Sequence, residues 1–327
     1  MPIKKVGLDE ILPYLPEKLR KKITRLSPPL LDELEEIRLR NGLPVALRFH
    51  RGEYFLTSEG KCSSKASEGE AFSMEEMHQA VLLLSNSSFY AMAEELRRGY
   101  ITLTGGHRAG LCGRAVLENG YIKHLTEISS INIRLARWIP GTADQILPLI
   151  CHGKDPSLPY PTLLVSPPRA GKTTILRDLA RQFSIRGFNV GIVDERSELA
   201  AMLKGKPQFP IGPRSDVLDA CPKAEGMMLM IRSMSPEIII CDEIGREEDA
   251  YAIREVANAG VIIIASAHGS DKDDLLKRPV LANLLAEKAF DRIAFFSRNK
   301  GPGTLEYVLD ANLQKLELGS DSESDSE

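Results

Sequence analysis

Residues 161 to 174, PTLLVSPPRAGKTT, run a short apolar strand into a loop that closes on Gly171, Lys172 and Thr173. A loop of this kind constrains everything around it. A polyphosphate needs inward-pointing backbone N–H groups, a cation at the β- and γ-phosphates, a hydroxyl for Mg²⁺ and a helix N-terminus beneath it. Lys172 supplies the cation and Thr173 the hydroxyl, and Ile175, Leu176, Leu179 and Ala180 mark an apolar helical face behind them. Ser166, Pro167, Pro168, Arg169, Ala170, Gly171, Lys172, Thr173 and Thr174 are therefore the candidate nucleotide-binding residues, with ATP and Mg²⁺ as the expected ligands. The pattern departs from Gly-x-x-x-x-Gly-Lys-Ser/Thr at its first letter, where Ser166 stands. If that position requires positive φ, the serine Cβ costs on the order of 1 kcal/mol and weakens the loop.

Gly-Lys-Thr is common by chance, so the other half of the site has to be found independently. Ile238, Ile239, Ile240 and Cys241 form an uninterrupted apolar run, the pattern of a strand buried on both faces of a parallel sheet, and it ends in Asp242-Glu243. In a nucleotide site Asp242, with Thr173, would hold the hydration shell of Mg²⁺, and Glu243 would orient or deprotonate the attacking water. The alternative is that the acidic pair merely caps the strand.

From Pro161 onward strand and helix alternate: Leu163 to Val165, the helix after the loop, Asn189 to Asp194, a helix over Ala224 to Arg232, Ile238 to Cys241, a helix over Asp249 to Ala259, and Val261 to Ser266. This order predicts an α/β domain with a mainly parallel sheet and helices on both faces. Arg292 to Phe296 and Leu305 to Leu309 add an edge hairpin. Acidic residues at a strand's carboxyl end point into the ligand crevice of such a sheet, which makes Glu195 and Glu198 candidates for polarising water. A salt bridge from either to Arg196 or Arg214 accounts for them equally well. Ser266-Ala267-His268-Gly269 closes the next strand, and His268 is placed either to sense the γ-phosphate or to serve the structure.

Residues 1 to 150 read as a smaller α+β domain. Leu31, Leu34, Ile37 and Leu39 suggest an amphipathic segment; Asn41-Gly42 then leads into an alternating hairpin through Val45, Leu47, Phe49, Tyr54 and Leu56. Ser73 to Glu76 is a capping box for a helix through Met77, Val81 and Leu84, and a second helix is expected over Ser88 to Arg98. Strand-like residues flank Gly105-Gly106, either a plain hairpin with permissive glycines or part of a phosphate-facing surface. Arg108, Arg114, Arg134 and Arg137 favour the second reading, because a guanidinium fork suits phosphate and such a cluster can reach a neighbouring subunit's nucleotide. HGKDPSLPYP, from His152 to Pro161, is the expected linker at 151 to 160, and the ATPase domain is expected over 161 to 312.

With 43% hydrophobic and 27% charged residues the chain is of globular type, and no apolar stretch reaches the length of a membrane span. The N-terminus MPIKKVGLDEILPYLP has no signal-peptide core, so a cytoplasmic location is expected. Five scattered cysteines, with no C-x-x-C pair, support neither a disulfide framework nor a zinc site. Residues 313 to 327 end in GSDSESDSE, an acidic, serine-rich tail expected to be disordered. Without its four acids the body is nearly neutral, and it shows no basic and aromatic stripe, which argues against a nucleic-acid partner.

VDERSE at Val193, GPRSDVLDACPKAEGMMLMIRSMSPEIIICDEIGREEDA from Gly212 and SAHG at Ser266 resemble the stage III sporulation protein AA family of endospore-forming bacteria. EEIRLRNGLP, ELRRGYITLTGGHRAGLCGRA and ISSINIRLAR are similar to its N-terminal half, so the likeness covers almost the whole chain except the tail. The resemblance implies a RecA-like P-loop ATPase related to type II and type IV secretion ATPases. In that setting Lys172 and Thr173 match the P-loop, Asp242 and Glu243 the Walker B pair, Glu195 and Glu198 the acidic box, and His268 the histidine box. It also implies a homo-oligomer, expected to be a hexamer, with arginines acting in trans; Arg108, Arg114, Arg134, Arg232 and Arg246 are the candidates. The implied partners are membrane subunits of a channel between mother cell and forespore, with the ATPase on the mother-cell side. A nucleic-acid-dependent ATPase and a nucleotide-binding scaffold with little turnover are the competing classes.

Overall fold

The computed structural model describes residues 7–85, 99–152, 158–168 and 170–316. The second helix expected over Ser88 to Arg98, Arg169, the middle of the linker and residues 317–327 of the tail expected over 313 to 327 lie outside the described residues. Leu316 N donates to Val308 O at 2.9 Å, so the start of that tail is ordered against the last strand. The chain divides into two compact units: 2–138 with 202–208, and 139–201 with 209–327.

In the first unit, short helices α1 (Leu8–Ile11), α2 (Glu17–Ile23), α3 (Pro28–Asp32) and α4 (Met74–Leu84) accompany seven strands. These are β1 (Leu34–Arg40), β2 (Ala46–Phe49), β3 (Gly52–Leu56), β4 (Cys62–Ser63), β5 (Tyr100–Thr102), β6 (Arg108–Glu118) and β7 (Tyr121–Arg134). They form one sheet in the order β4-β3-β2-β1-β7-β6-β5. Ile11, Leu19, Ile23, Met77 and Val81 from the helices pack with Ile37, Leu39, Leu47 and Ile133 from the sheet. The capping box at the start of α4 forms as the sequence indicates, Ser73 Oγ accepting from Glu76 N and Glu76 accepting from Ser73 N.

The amphipathic segment through Leu31, Leu34, Ile37 and Leu39 is the end of α3 followed by β1. A register shift between Leu34 and Glu36 sets its spacing. One extra residue in a strand lets Leu34 and Ile37, three apart, bury on the same side, which imitates a helical period.

The second unit carries β8 (Thr162–Ser166), β9 (Val190–Asp194), β10 (Ser215–Asp219), β11 (Ile238–Cys241), β12 (Ile262–His268), β13 (Arg292–Ser297) and β14 (Thr304–Asp310). Its helices are α5 (Leu147–Ile150), α6 (Lys172–Ile185), α7 (Lys223–Ser233), α8 (Glu247–Asn258), α9 (Lys272–Leu276) and α10 (Pro279–Ala286). The strand order is β10-β9-β11-β12-β8-β13-β14, parallel throughout except for the last, antiparallel pair. All residues of β8, β9 and β11 are buried, as the apolar runs require of strands covered on both faces. On one face Val165, Val193, Ile239 and Ala265 pack against Met227, Met230, Ile253, Val256 and Leu284 of α7, α8 and α10. Residues 139–150 belong to this unit too: Ala143 N donates to Asp178 of α6 at 3.0 Å, and Arg292 of β13 donates to Leu149 O at 3.0 Å.

The alternation in sequence locates the parallel strands and the edge hairpin. β10, with its polar edge composition, and α9 and α10 were not anticipated. No helix among the described residues is long and apolar enough to cross a membrane.

Helix α7 lies close against β9 because Gly226 has no side chain; a Cβ there would come within 2.5 Å of Val193 Cγ1. Gly226→Ala should therefore lower stability despite its better helix propensity. The overpacking cost, about 1–3 kcal/mol, exceeds the propensity gain of about 1 kcal/mol at most sites of this kind. A lower denaturant midpoint with an unchanged slope is the expected result; an unchanged or higher midpoint would refute it.

Candidate nucleotide-binding site

Strand β8 delivers Ser166 to the carboxyl edge of the sheet, between the ends of β12 and β13. Helix α6 starts six residues later, and its N-cap Gly171 has φ +91°. A side chain there would be doubly opposed, by the left-handed backbone and by Gly303 N, 3.2 Å from the position of a Cβ. Gly303, in the β13–β14 turn, donates its N–H to Ala170 O at 2.8 Å and so braces the loop from behind.

Ser166 lies in extended strand backbone and is buried, so its Cβ meets no left-handed penalty; the weakening considered for a positive φ does not arise. Its hydroxyl donates to Pro167 O at 2.9 Å and accepts from Lys172 Nζ at 3.0 Å.

Lys172 is only 6% exposed. Its ammonium also donates to Ser166 O at 2.8 Å and Pro167 O at 3.3 Å, and sits 3.2 Å from His268 Nδ1 at the end of β12. Burial pulls the Lys172 pKa down to about 8, against the opposing charges of Glu243 and Asp242.

Asp242 and Glu243 leave the end of β11 with different surroundings. Asp242 is buried, and burial, followed by the charges of Asp194 and Glu198, raises its pKa to about 7. Its Oδ2 has no hydrogen-bond partner among the described residues. An orphaned, buried carboxylate oxygen beside a phosphate loop is what a hydrated cation would satisfy, and the half-buried Thr173, in the first turn of α6, offers the companion hydroxyl. Glu243 has φ +47°, uncommon outside glycine, and its N–H donates to Ser266 Oγ at 3.0 Å. Its carboxylate meets His268 Nε2 at 3.0 Å and Arg196 at 2.6 Å.

Of the acidic-box candidates, Glu195 is paired with Lys223 at the start of α7, while Arg196 reaches Glu243. Glu198 contributes its carbonyl to Arg177 at 2.7 Å and its charge to the neighbourhood of Asp242. Asp194, which sequence reasoning passed over, organises this turn. Its carboxylate accepts the N–H groups of Glu198, Leu199 and Ala200 at 2.7, 2.9 and 2.9 Å. Burial raises its pKa, partly offset by those three donors. An aspartate closing a strand just before a turn was the available signal.

The structure thus joins Ser166, Lys172, Glu243 and His268 in one bonded group. Arg232 is exposed on α7 in the groove facing Tyr251 of α8, and Arg246 is exposed at the start of α8. Arg108, Arg114 and Arg134 lie on the sheet of the first unit. Arg114 is 3.4 Å from Glu127, and Arg108 stacks over the Tyr100 ring at 4.3 Å. Strand register creates a further feature there, since Arg48, Glu36, Arg134 and Arg108 oppose one another in a single row across β2, β1, β7 and β6. Arg38 donates to Glu36 beside this row. Burial alone would raise the Glu36 pKa, but the Arg38 bond and the charges of Arg38, Arg134 and Arg48 hold it below its ordinary value. This row of three arginines and one glutamate, not visible in the linear sequence, is assembled by strand pairing.

The family model described as "Sporulation stage III, protein AA" matches residues 6–316. The stage III sporulation protein AA of Bacillus subtilis is 46% identical over 309 residues, 93% of this chain and 95% of that protein. Among solved structures, the ATPase DotB of Yersinia pseudotuberculosis superposes with a TM-score of 0.56 at 14% identity, over 91% of this chain and 80% of that one. The pilus retraction motor PilT with bound ADP gives 0.53 at 16% identity, over 85% and 76%. The second unit accordingly has the RecA-like P-loop fold of these proteins.

Because Ser166 occupies ordinary strand backbone, Ser166→Gly should cost about 0.5–1 kcal/mol of stability by loosening the unfolded chain, and should not tighten ATP binding. Melting temperature and ATP affinity measured on this one variant check both halves; tighter binding would contradict the geometry.

Proposed function

The chain belongs to the stage III sporulation protein AA family, and we propose that it is an ATP-hydrolysing motor of a secretion-like channel between mother cell and forespore. The observation that carries this reading is the convergence of Lys172, His268 and Glu243 at the mouth of the loop, next to buried Asp242, whose Oδ2 has no hydrogen-bond partner among the described residues. In this reading residues 166 to 174 cradle the triphosphate, and Lys172 turns its ammonium to the β- and γ-phosphates. Asp242 and Thr173 hold the hydrated Mg²⁺, which when bound neutralises phosphate charge. Glu243 aligns and deprotonates the attacking water, His268 bridges it to Lys172, and Glu195 and Glu198 shape the acidic wall.

The oligomer is proposed to be a ring, with Arg108, Arg114, Arg134, Arg232 or Arg246 of one subunit completing the site of the next. Its partners would be membrane subunits of the channel, and its place the mother-cell side of that membrane. A second reading, a nucleic-acid-dependent ATPase, gains support from the arginine row on the first unit, and stimulation of phosphate release by single-stranded DNA would favour it.

Glu243→Gln is expected to keep ATP binding and lower phosphate release about 100-fold or more, whereas Lys172→Ala should weaken binding itself. Undiminished turnover in Glu243→Gln would end the assignment of that residue.

The pH dependence follows from the two perturbed groups. Asp242 must ionise to hold a cation, so kcat/KM should climb through about pH 7; Lys172 must stay protonated to hold phosphate, so it should fall again above about pH 8. A profile flat from pH 6 to 9 would contradict both.

A further inference from the structure

The bonds around Lys172 close the site on itself. An ammonium has three N–H groups, and Ser166 O, Ser166 Oγ, Pro167 O and His268 Nδ1 compete for all of them. With Nδ1 accepting, His268 carries its proton on Nε2, which faces Glu243 Oε1 at 3.0 Å. Glu243 Oε2 receives the Arg196 guanidinium at 2.6 Å. A directional chain therefore runs from Lys172 through His268 to Glu243, and Arg196, on the turn after β9, holds the other carboxylate oxygen.

We infer that Arg196 is a positioning residue that latches the Glu243 carboxylate against His268 and withholds it from water until phosphate captures Lys172. This rests on the ATPase reading above. The backbone of Glu243 is fixed by its N–H bond to Ser266 Oγ, so the partners of its side chain decide where the carboxylate points. A carboxylate with a charged donor on one oxygen and an imidazole donor on the other is a poorer acceptor for a third donor, water. The Arg196 side chain is 57% exposed, and an ion pair open to solvent on one side is weak enough to open and re-form. Once Lys172 turns toward phosphate, His268 Nδ1 loses its donor and the ring can swing. Arg196 is then the remaining restraint, and its pull is the one a substitution can remove without touching the phosphate loop.

The test uses the full chain with Arg196→Ala, Arg196→Lys and Glu243→Gln, each first checked for an unchanged melting temperature. Phosphate release at saturating ATP should rise about three- to tenfold in Arg196→Ala, with KM falling by about threefold at most, because the lost restraint frees the carboxylate and eases the opening that phosphate must drive. Arg196→Lys, which keeps the cation, should restore most of the restraint. A fall in turnover toward that of Glu243→Gln would overturn the latch and place Arg196 in the reaction itself; unchanged turnover would also overturn it. If the wild type bound ATP but released no phosphate, the motor reading would fail separately. The latch is then decided by a fluorescent non-hydrolysable ATP analogue, which Arg196→Ala should bind about threefold more tightly. Equal affinity in that arm overturns it.

Discussion

A lysine ammonium held almost out of solvent at the end of a hydrophobic strand sets the terms for the rest of the second unit. Burying a cation is costly unless its donors are satisfied and countercharge is near. Lys172 meets the first condition with Ser166, Pro167 and His268, and the second with Glu243 and Asp242. Those partners come from the ends of β8, β11 and β12, three strands that adjoin only because the sheet is parallel and ordered β11-β12-β8. The loop itself holds its shape through Gly171 and the brace from Gly303, so even the distal β13–β14 hairpin contributes to placing the ammonium.

The acidic side of the site shows the same economy of burial. Asp194 spends its charge on three backbone N–H groups and so fixes the turn that carries Glu195, Arg196 and Glu198. Glu195 is paired with Lys223 and Glu243 with Arg196, and of the two carboxylates at the end of β11 Asp242 keeps a buried oxygen without a hydrogen-bond partner among the described residues. The buried oxygen left without a protein partner is the one open to a ligand.

In the first unit, one face of the antiparallel sheet is spent on the helices and the other carries the row of Arg48, Glu36, Arg134 and Arg108. Like charges opposed across strands repel, and Glu36 sits within the row with Arg38 bonded to it, which lowers that cost.

The α/β class, the parallel strands, the loop from Ser166 to Thr174 and the Asp242-Glu243 pair were legible in the sequence, because contiguous apolar runs and short fixed-spacing patterns encode them locally. The β1 bulge was not legible for the opposite reason: one extra residue gives a strand the spacing of a helix, so the amphipathic pattern alone left the element's type open. The conformation of Ser166, the frame role of Asp194, the choice of Arg196 for Glu243 over its acidic neighbours, and the arginine row were decided by tertiary structure. Each depends on which strand ends lie side by side and in what register. Sequence states the residue types and their local spacing, whereas electrostatic partnership falls off over a few ångströms and is fixed only when residues far apart in the chain are folded to that distance.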